Sequence, residues 1–381
     1  MRRRKLAALG LCLLLCIFIL AGCWDKIEIE DRLFVLAIGF DKAPEAKKQR
    51  PSDKIDIYFV SPIVAEATKG GKGNAFKAYD AVGESLTEVM RDLLTKSNKK
   101  QFFGHCKVII FGQEVLNDSE LFKQALDFLG RSHELHKSMY VYATPGKVED
   151  VFKVEPMFDR LLAPYIAGIS DNNSYVSAIP KMTLADLLVS MENSDGNGIL
   201  PLLVPSKDSV EIDRMAIIKN YRLIALTDPD GSRAINRLNG KASGGTIDFD
   251  YQGNTSTYSY YSFNRKISLN KISDGKIYLD YKLEAEGSVE GYMIGERLMN
   301  ETILRDMEKT IEKEIEKDGQ DTVKKLQQNY KVDLIGAGEY LRKHQPKVYK
   351  EIESDYDDYF ANKIVINVEA DAKVRRVGVL K

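Results

Sequence analysis

The chain has 381 residues, with 55 Lys and Arg set against 56 Asp and Glu and a formal net charge of −1. With the two signs interspersed, that balance argues against a nucleic-acid-binding body. Four cysteines at this length are too few for a disulfide scaffold, and the length predicts two or three domains able to bury cores of their own.

Residues 2–5 carry four positive charges and residues 6–22 carry none. A basic start, an apolar run and small residues at its end make a secretory leader. At 17 residues the run would also just span a bilayer as an uncleaved anchor. Leu20-Ala21-Gly22-Cys23 resembles the bacterial lipobox, in which the leader is cut before a diacylated cysteine. The residue types suit the chemistry: only a thiol can form the thioether to lipid, and Ala21 and Gly22 leave the peptide bond open to a peptidase. Several acyl chains anchor stably where a single one holds marginally. Cleavage would leave 359 residues and, with four cations gone, a net charge of −5. Cys12 and Cys16 would depart with the leader, so Cys106 would have no partner thiol.

Residues 25–32 form a charged link, and 33–40 an unbroken apolar run that reads as a strand buried on both faces. A polar loop (42–54) leads to a strand in which Ile55, Ile57 and Phe59 alternate with Asp56 and Tyr58. The glycine-rich 69–74 lacks the Gly-Lys-Ser/Thr ending of a phosphate-cradling loop and reads as a turn. Ala78, Val82, Leu86, Val89, Met90, Leu93 and Leu94 have helical spacing, which predicts one amphipathic helix. A strand (102–111), a helix (120–129) and a strand (138–143) follow, then helices at 156–169 and 184–191, the latter behind Thr183 as N-cap. Low periodicity over 193–205 places a domain boundary there.

Beyond it the texture is hairpins. Strands at 214–219 and 222–227 flank Asn220-Tyr221, and Asp228-Pro-Asp-Gly231 turns the chain into a helix at 232–238. Phe263, Ile267 and Leu269 precede a Ser-Asp-Gly turn at 273–275. Ile277, Leu279, Tyr281, Leu283 and Ala285 then alternate with polar partners. A long charged helix is expected over 295–328, broken at Asp318-Gly319, and the final strand carries Ile364, Ile366, Val368, Ala370, Ala372 and Val374 on one face. The expected fold class is α+β, multi-domain, with mixed or antiparallel sheets flanked by helices. The divisions are a leader (1–22), a lipid-anchored link (23–32), an N-terminal α/β domain (33–205), a hairpin-rich domain (206–290) and a helix-and-strand domain (291–381), the last two able to form one unit.

No catalytic constellation stands out. His133-Glu-Leu-His136 is one residue short of the metalloprotease spacing that puts two imidazoles a helical turn apart. His105 and Cys106 are adjacent in an apolar strand, so their side chains are expected on opposite faces, and no Gly-x-Ser-x-Gly elbow occurs. No metal, cofactor or nucleic-acid partner is expected.

The most specific signal is a resemblance. Cys23-Trp24-Asp25, the acidic residues after it, and an apolar strand ending Gly39-Phe40-Asp41 resemble the mature N-terminus of the Ger(x)C family, lipoprotein C subunits of nutrient germinant receptors in spore-forming bacteria. Residues 226–241, Asp333-x-x-Gly336-x-Gly338 with the later Pro346, and the closing 368–378 also resemble the family pattern, in order along the chain. The resemblance implies a non-enzymatic, lipid-anchored subunit on the outer face of the spore inner membrane. It would act with membrane A and B subunits to start germination in response to small nutrients. Trp24 suits a membrane interface, against lipid or against a partner subunit. A rival reading is a solute-binding lipoprotein of a transporter, which would show two similar parallel lobes; the hairpin-rich second half opposes it. A cell-wall or lipid hydrolase would need the nucleophile or metal cluster that the sequence lacks.

Overall fold

Two sheets organise the chain, and the computed structural model describes residues 28–63, 75–172, 179–290 and 301–377. Leu20, Ala21, Gly22, Cys23, Trp24 and Asp25, the glycine-rich 69–74 and residues 295–300 of the long helix lie outside the described residues.

After a 3-10 turn (Ile29–Asp31), the first unit runs β1 (Arg32–Phe34), β2 (Ala37–Lys42), β3 (Ile55–Pro62), β4 (Phe76–Gly83), α1 (Leu86–Lys96), β5 (Lys100–Phe102), β6 (Val108–Gly112), α2 (Gln113–Leu116), α3 (Ser119–Arg131), β7 (Tyr140–Thr144), α4 (Val148–Phe152), α5 (Leu162–Asn172), α6 (Leu184–Asn193), β8 (Gly198–Pro205), β9 (Val210–Lys219) and β10 (Arg222–Leu226). Eight strands form one sheet in the order β10-β9-β8-β7-β6-β2-β3-β4, while β1 and β5 make a separate parallel pair. The neighbours β2, β6, β7 and β8 are parallel, and the outer strands are antiparallel. Val108, Ile109, Ile110 and Phe111 are fully buried, as an apolar run covered on both faces requires. Helix starts follow local chemistry. Ser85 accepts the Glu88 N–H, Asp118 accepts the Leu121 N–H, and Thr183 with Asp186 forms a reciprocal capping box, as expected at Thr183.

The structure corrects several expectations. The helix expected from Ala78 begins at Leu86, and Phe76–Gly83 is instead an edge strand paired along its whole length with β3. A spacing of four between Ala78 and Val82 fits a helical turn and a strand face equally. The strand expected at 102–111 is β5 and β6 with a turn between, closed by the Cys106 N–H on the Phe103 carbonyl. The helix expected from residue 156 starts at Leu162. Residues 198–205, read as aperiodic, form an inner strand whose apolar run is buried on both faces and so shows no period. The eight-stranded sheet therefore carries strands on both sides of residue 205.

The second unit comprises α7 (Pro229–Leu238), β11 (Gly245–Tyr251), β12 (Asn254–Ser273), β13 (Lys276–Glu290), α8 (Glu301–Lys324, continued by a π-turn at Lys325–Tyr330), α9 (Ala337–His344), α10 (Pro346–Ile352), α11 (Tyr356–Asn362) and β14 (Ile364–Val377). Its sheet has the order β11-β12-β13-β14, so strands from 206–290 and from 291–381 share it. Asp274 and Gly275 take positive φ in the two-residue turn of the long hairpin. Ile277, Leu279, Tyr281, Leu283 and Ala285 are buried, and so are Met307, Ile311 and Ile315 of α8. The expected break at Asp318-Gly319 does not occur. A Cβ on Gly319 would lie 2.8 Å from Val368 Cγ1, so the glycine lets helix and strand approach. Along the outer edge of β14, Glu308, Glu312 and Glu316, each one helical turn apart, accept the N–H groups of Val374, Ala372 and Ala370 at 2.9, 3.1 and 3.1 Å. These side chains supply acceptors that a further strand would otherwise provide.

The units meet through α7, held at its start by Asp228 and Pro229. Ile235 and Leu238 are buried in a hydrophobic core that runs through both units. The fold is α+β, with mixed sheets flanked by helices. Among the described residues no helix is long and apolar enough to cross a membrane.

Candidate functional site

The motif residues gather at two places. Gly39 lies under α4: a Cβ there would be 2.1 Å from Val148 Cγ1 and 3.0 Å from the Phe152 ring. Two residues on, buried Asp41 accepts the Val148 N–H at 2.9 Å and so caps a helix whose own N-cap residue, Lys147, offers no side-chain bond. Gly112 gives Asp41 its space, since a Cβ would fall 1.8 Å from Oδ1. Asp41 pairs across the ladder with Asp56, also buried. Burial, and then the neighbouring Asp56, push the Asp41 carboxyl up to about 7 against the pull of the Val148 N–H. Asp56 is raised by burial, with Lys47 working the other way. Lys47 Nζ reaches Asp56 at 2.9 Å, Asp80 at 2.6 Å and Tyr58 Oη at 3.1 Å. Burial disfavours its charge, yet those hydrogen bonds outweigh burial and hold the ammonium above its usual range. The second Asp56 oxygen, Oδ1, is buried without a partner.

At the second place Asp333 Oδ1 accepts the N–H groups of Ile335 and Gly336 at 3.0 and 2.9 Å, and Oδ2 accepts the Gly338 N–H and the Tyr356 hydroxyl, both at 2.7 Å. Gly336, at φ +80°, starts α9 in the left-handed region. A Cβ on Gly338 would come within 2.7 Å of the Tyr356 ring. Burial and then Asp333 push the Tyr356 phenol well above its usual value. Arg265 Nη1 donates to the carbonyls of Leu238 and Ile335, joining this turn to the end of α7. Pro346 opens α10, where a missing N–H costs nothing.

Asp333, Gly336 and Gly338 also border a groove of about 690 Å³ between α6 and β8 on one side and α9–α11 on the other. Asp186, Asp195, Glu339, Asp355 and Asp357 outweigh Arg342 and Lys241 along it. Polar links run beside and across it: Lys219 Nζ lies 2.9 Å from Asp357, and Arg342 donates to Asn193 at 3.3 Å.

The other sequence candidates do not converge. His133 and His136 are exposed in the turn after α3, and His344 stacks on Tyr340. Cys106 is buried and its thiol is pushed up to about 12 by burial, while His105 is exposed. Among the described residues no group of three or more His, Cys, Asp or Glu is placed to hold a metal ion. Sequence reasoning missed Asp56, Lys47, Arg265 and Tyr356. An acid in a strand flanked by apolar residues was the available signal for Asp56.

In both clusters an aspartate accepts backbone N–H groups beside closely packed glycines. A family model described as "Spore germination protein N-terminal domain" matches residues 25–205, and one described as "Spore germination B3/ GerAC like, C-terminal" matches residues 213–378. The chain belongs to the Ger(x)C family of spore germination proteins. It is 28% identical to spore germination protein YndF of Bacillus subtilis (strain 168), covering 100% of this chain and 98% of that one. It is 27% identical to spore germination protein A3 of the same organism, over 97% of each. The crystal structure of the GerBC protein matches with a TM-score of 0.60 and 16% identity, covering 90% of this chain and 98% of that chain, which shows a shared fold.

Proposed function

We propose that this chain is the non-enzymatic, lipid-anchored subunit of a nutrient germinant receptor. It is held through Cys23 on the outer face of the spore inner membrane and needed, with membrane A and B subunits, to start germination in response to small nutrients. The observation that carries this reading is the end-to-end match to spore germination proteins in a chain whose leader ends Leu20-Ala21-Gly22-Cys23. Trp24 and Asp25 then stand directly beside the acylated residue. The body is best divided into two units at the β10–α7 connection, because the first sheet ends at Leu226 and the second begins after it. Spores carrying Cys23→Ala test the proposal. The chain should leave the membrane fraction, and the response to one class of nutrient should fail while other classes still act. Normal germination with reduced uptake of a solute would overturn it in favour of a transport lipoprotein.

A further inference from the structure

Two phenylalanines stand outside the hydrophobic core. Phe34 of β1 and Phe102 of β5 pack edge to face, ring centroids 5.5 Å apart, and both contact the exposed His105 ring, at 5.6 and 5.9 Å. Neither belongs to the core that runs through both units, nor to the partly buried residues packed on it. The Arg32 guanidinium lies over the Phe102 ring, 4.5 Å from its centroid. Lys100, directly across the ladder from Arg32, is exposed, as is Lys99. Before the strand, Ile29 is 73% exposed. Half-buried rings edged by long cations form the amphipathic combination found at membrane–water interfaces, where the ring bodies sit among headgroups and the cations reach phosphate.

The position of this face in the chain supplies the second argument. Glu28, the first described residue, is five positions beyond Cys23, a span of at most about 18 Å of extended chain. The turn at Ile29–Asp31 then leads directly into β1. An acylated Cys23 therefore holds β1 and β5 close to the headgroup layer.

We propose that the Phe34–Phe102–His105 cluster, with Arg32 over it and the exposed Lys99 and Lys100 at its edge, is a membrane-contact face that seats the body on the phospholipid headgroups in one orientation. The proposal rests on the lipid-anchor reading above and adds a second contact to it. Glu28, Glu30 and Asp31 lie at the same end and offset much of the positive charge. The rings therefore carry the contact and the cations tune it.

The chain beginning at Trp24 tests this, because the leader and the acylated thiol are gone while the core, which starts at Val35, is intact. It is mixed with vesicles of phosphatidylcholine alone and of phosphatidylcholine with about one third phosphatidylglycerol, and bound protein is read by sedimentation. Binding should be stronger to the anionic vesicles than to phosphatidylcholine alone. Phe34→Ser with Phe102→Ser should weaken it about tenfold. Lys99→Glu with Lys100→Glu should remove the preference for anionic lipid, with the melting temperature close to that of the parent. Failure of the parent chain to bind either vesicle, or equal binding by all variants, overturns the proposal. So does protection of Lys99 and Lys100 in spore membranes by a protein cross-link when vesicles do not bind. Mass spectrometry of the native chain for lipid on Cys23 decides the anchor reading separately, so either can fail without the other.

Discussion

Replacing Asp41 by asparagine separates the two tasks of its carboxylate: accepting the Val148 N–H and lying beside Asp56. In the native fold burial and Asp56 raise the carboxyl from 3.8 to about 7, so the folded state holds its proton more tightly than the unfolded chain. The stability this contributes is fully present below about pH 4 and is lost as pH rises through 7. Three decades correspond to a ceiling of about 4 kcal/mol, and relaxation around the site brings the expected loss to about 2 kcal/mol. The asparagine oxygen still accepts from Val148, and its amide N–H₂ can face the unpartnered Asp56 Oδ1. Urea unfolding of the chain from Trp24 at pH 5, 6, 7 and 8 reads the effect. Asp41→Asn should flatten the fall in stability between pH 5 and 8, leaving the slope that belongs to Asp56, and should exceed the parent by about 1–2 kcal/mol at pH 8. Asp41→Ala, which removes the cap, should lose about 1 kcal/mol relative to Asp41→Asn at every pH. Equal slopes for parent and Asp41→Asn, or an asparagine variant less stable at pH 8, would refute the assignment.

At the second cluster, Asp333→Asn replaces an acceptor-only carboxylate with a single oxygen facing three N–H groups and a hydroxyl. It should cost about 2–3 kcal/mol in a denaturant titration. Gly338→Ala, driven into the Tyr356 ring, should destabilise by more than Gly336→Ala, whose penalty is chiefly the left-handed backbone at about 1 kcal/mol. At the β14 edge, alanine at Glu308, Glu312 and Glu316 together should expose three N–H groups and produce self-association on size exclusion, at a cost of about 1 kcal/mol each. Glutamine at the same three positions keeps the acceptors and should leave the chain monodisperse.

Much of this architecture is legible in the sequence, and the failures share a cause. The hairpin at 263–285, the cap at Thr183 and the closing strand were readable because one face is buried and the other solvated, so the pattern declares its period. Phe76–Gly83 and Gly198–Pro205 were not, the first because its spacing suits two periods and the second because burial on both faces erases any period. Ser85-Leu-Thr-Glu88 did mark the true start of α1 and outranks the spacing upstream of it. The motif residues were legible as a resemblance but not in their roles, because their partners are distant in sequence. Asp41 works on a helix 107 positions later, and the Asp333 turn depends on Arg265, 70 positions before Ile335. Once placed, the two clusters share a device: a glycine admits a neighbouring element, and an aspartate ties that element down, through the Val148 N–H at Asp41 and through the Tyr356 hydroxyl at Asp333. A motif of that kind identifies the scaffold and leaves partner choice to other surfaces. Surfaces that Gly39, Asp41, Asp333 and Gly338 do not reach, such as the acidic groove, are therefore where differences among family members should be sought.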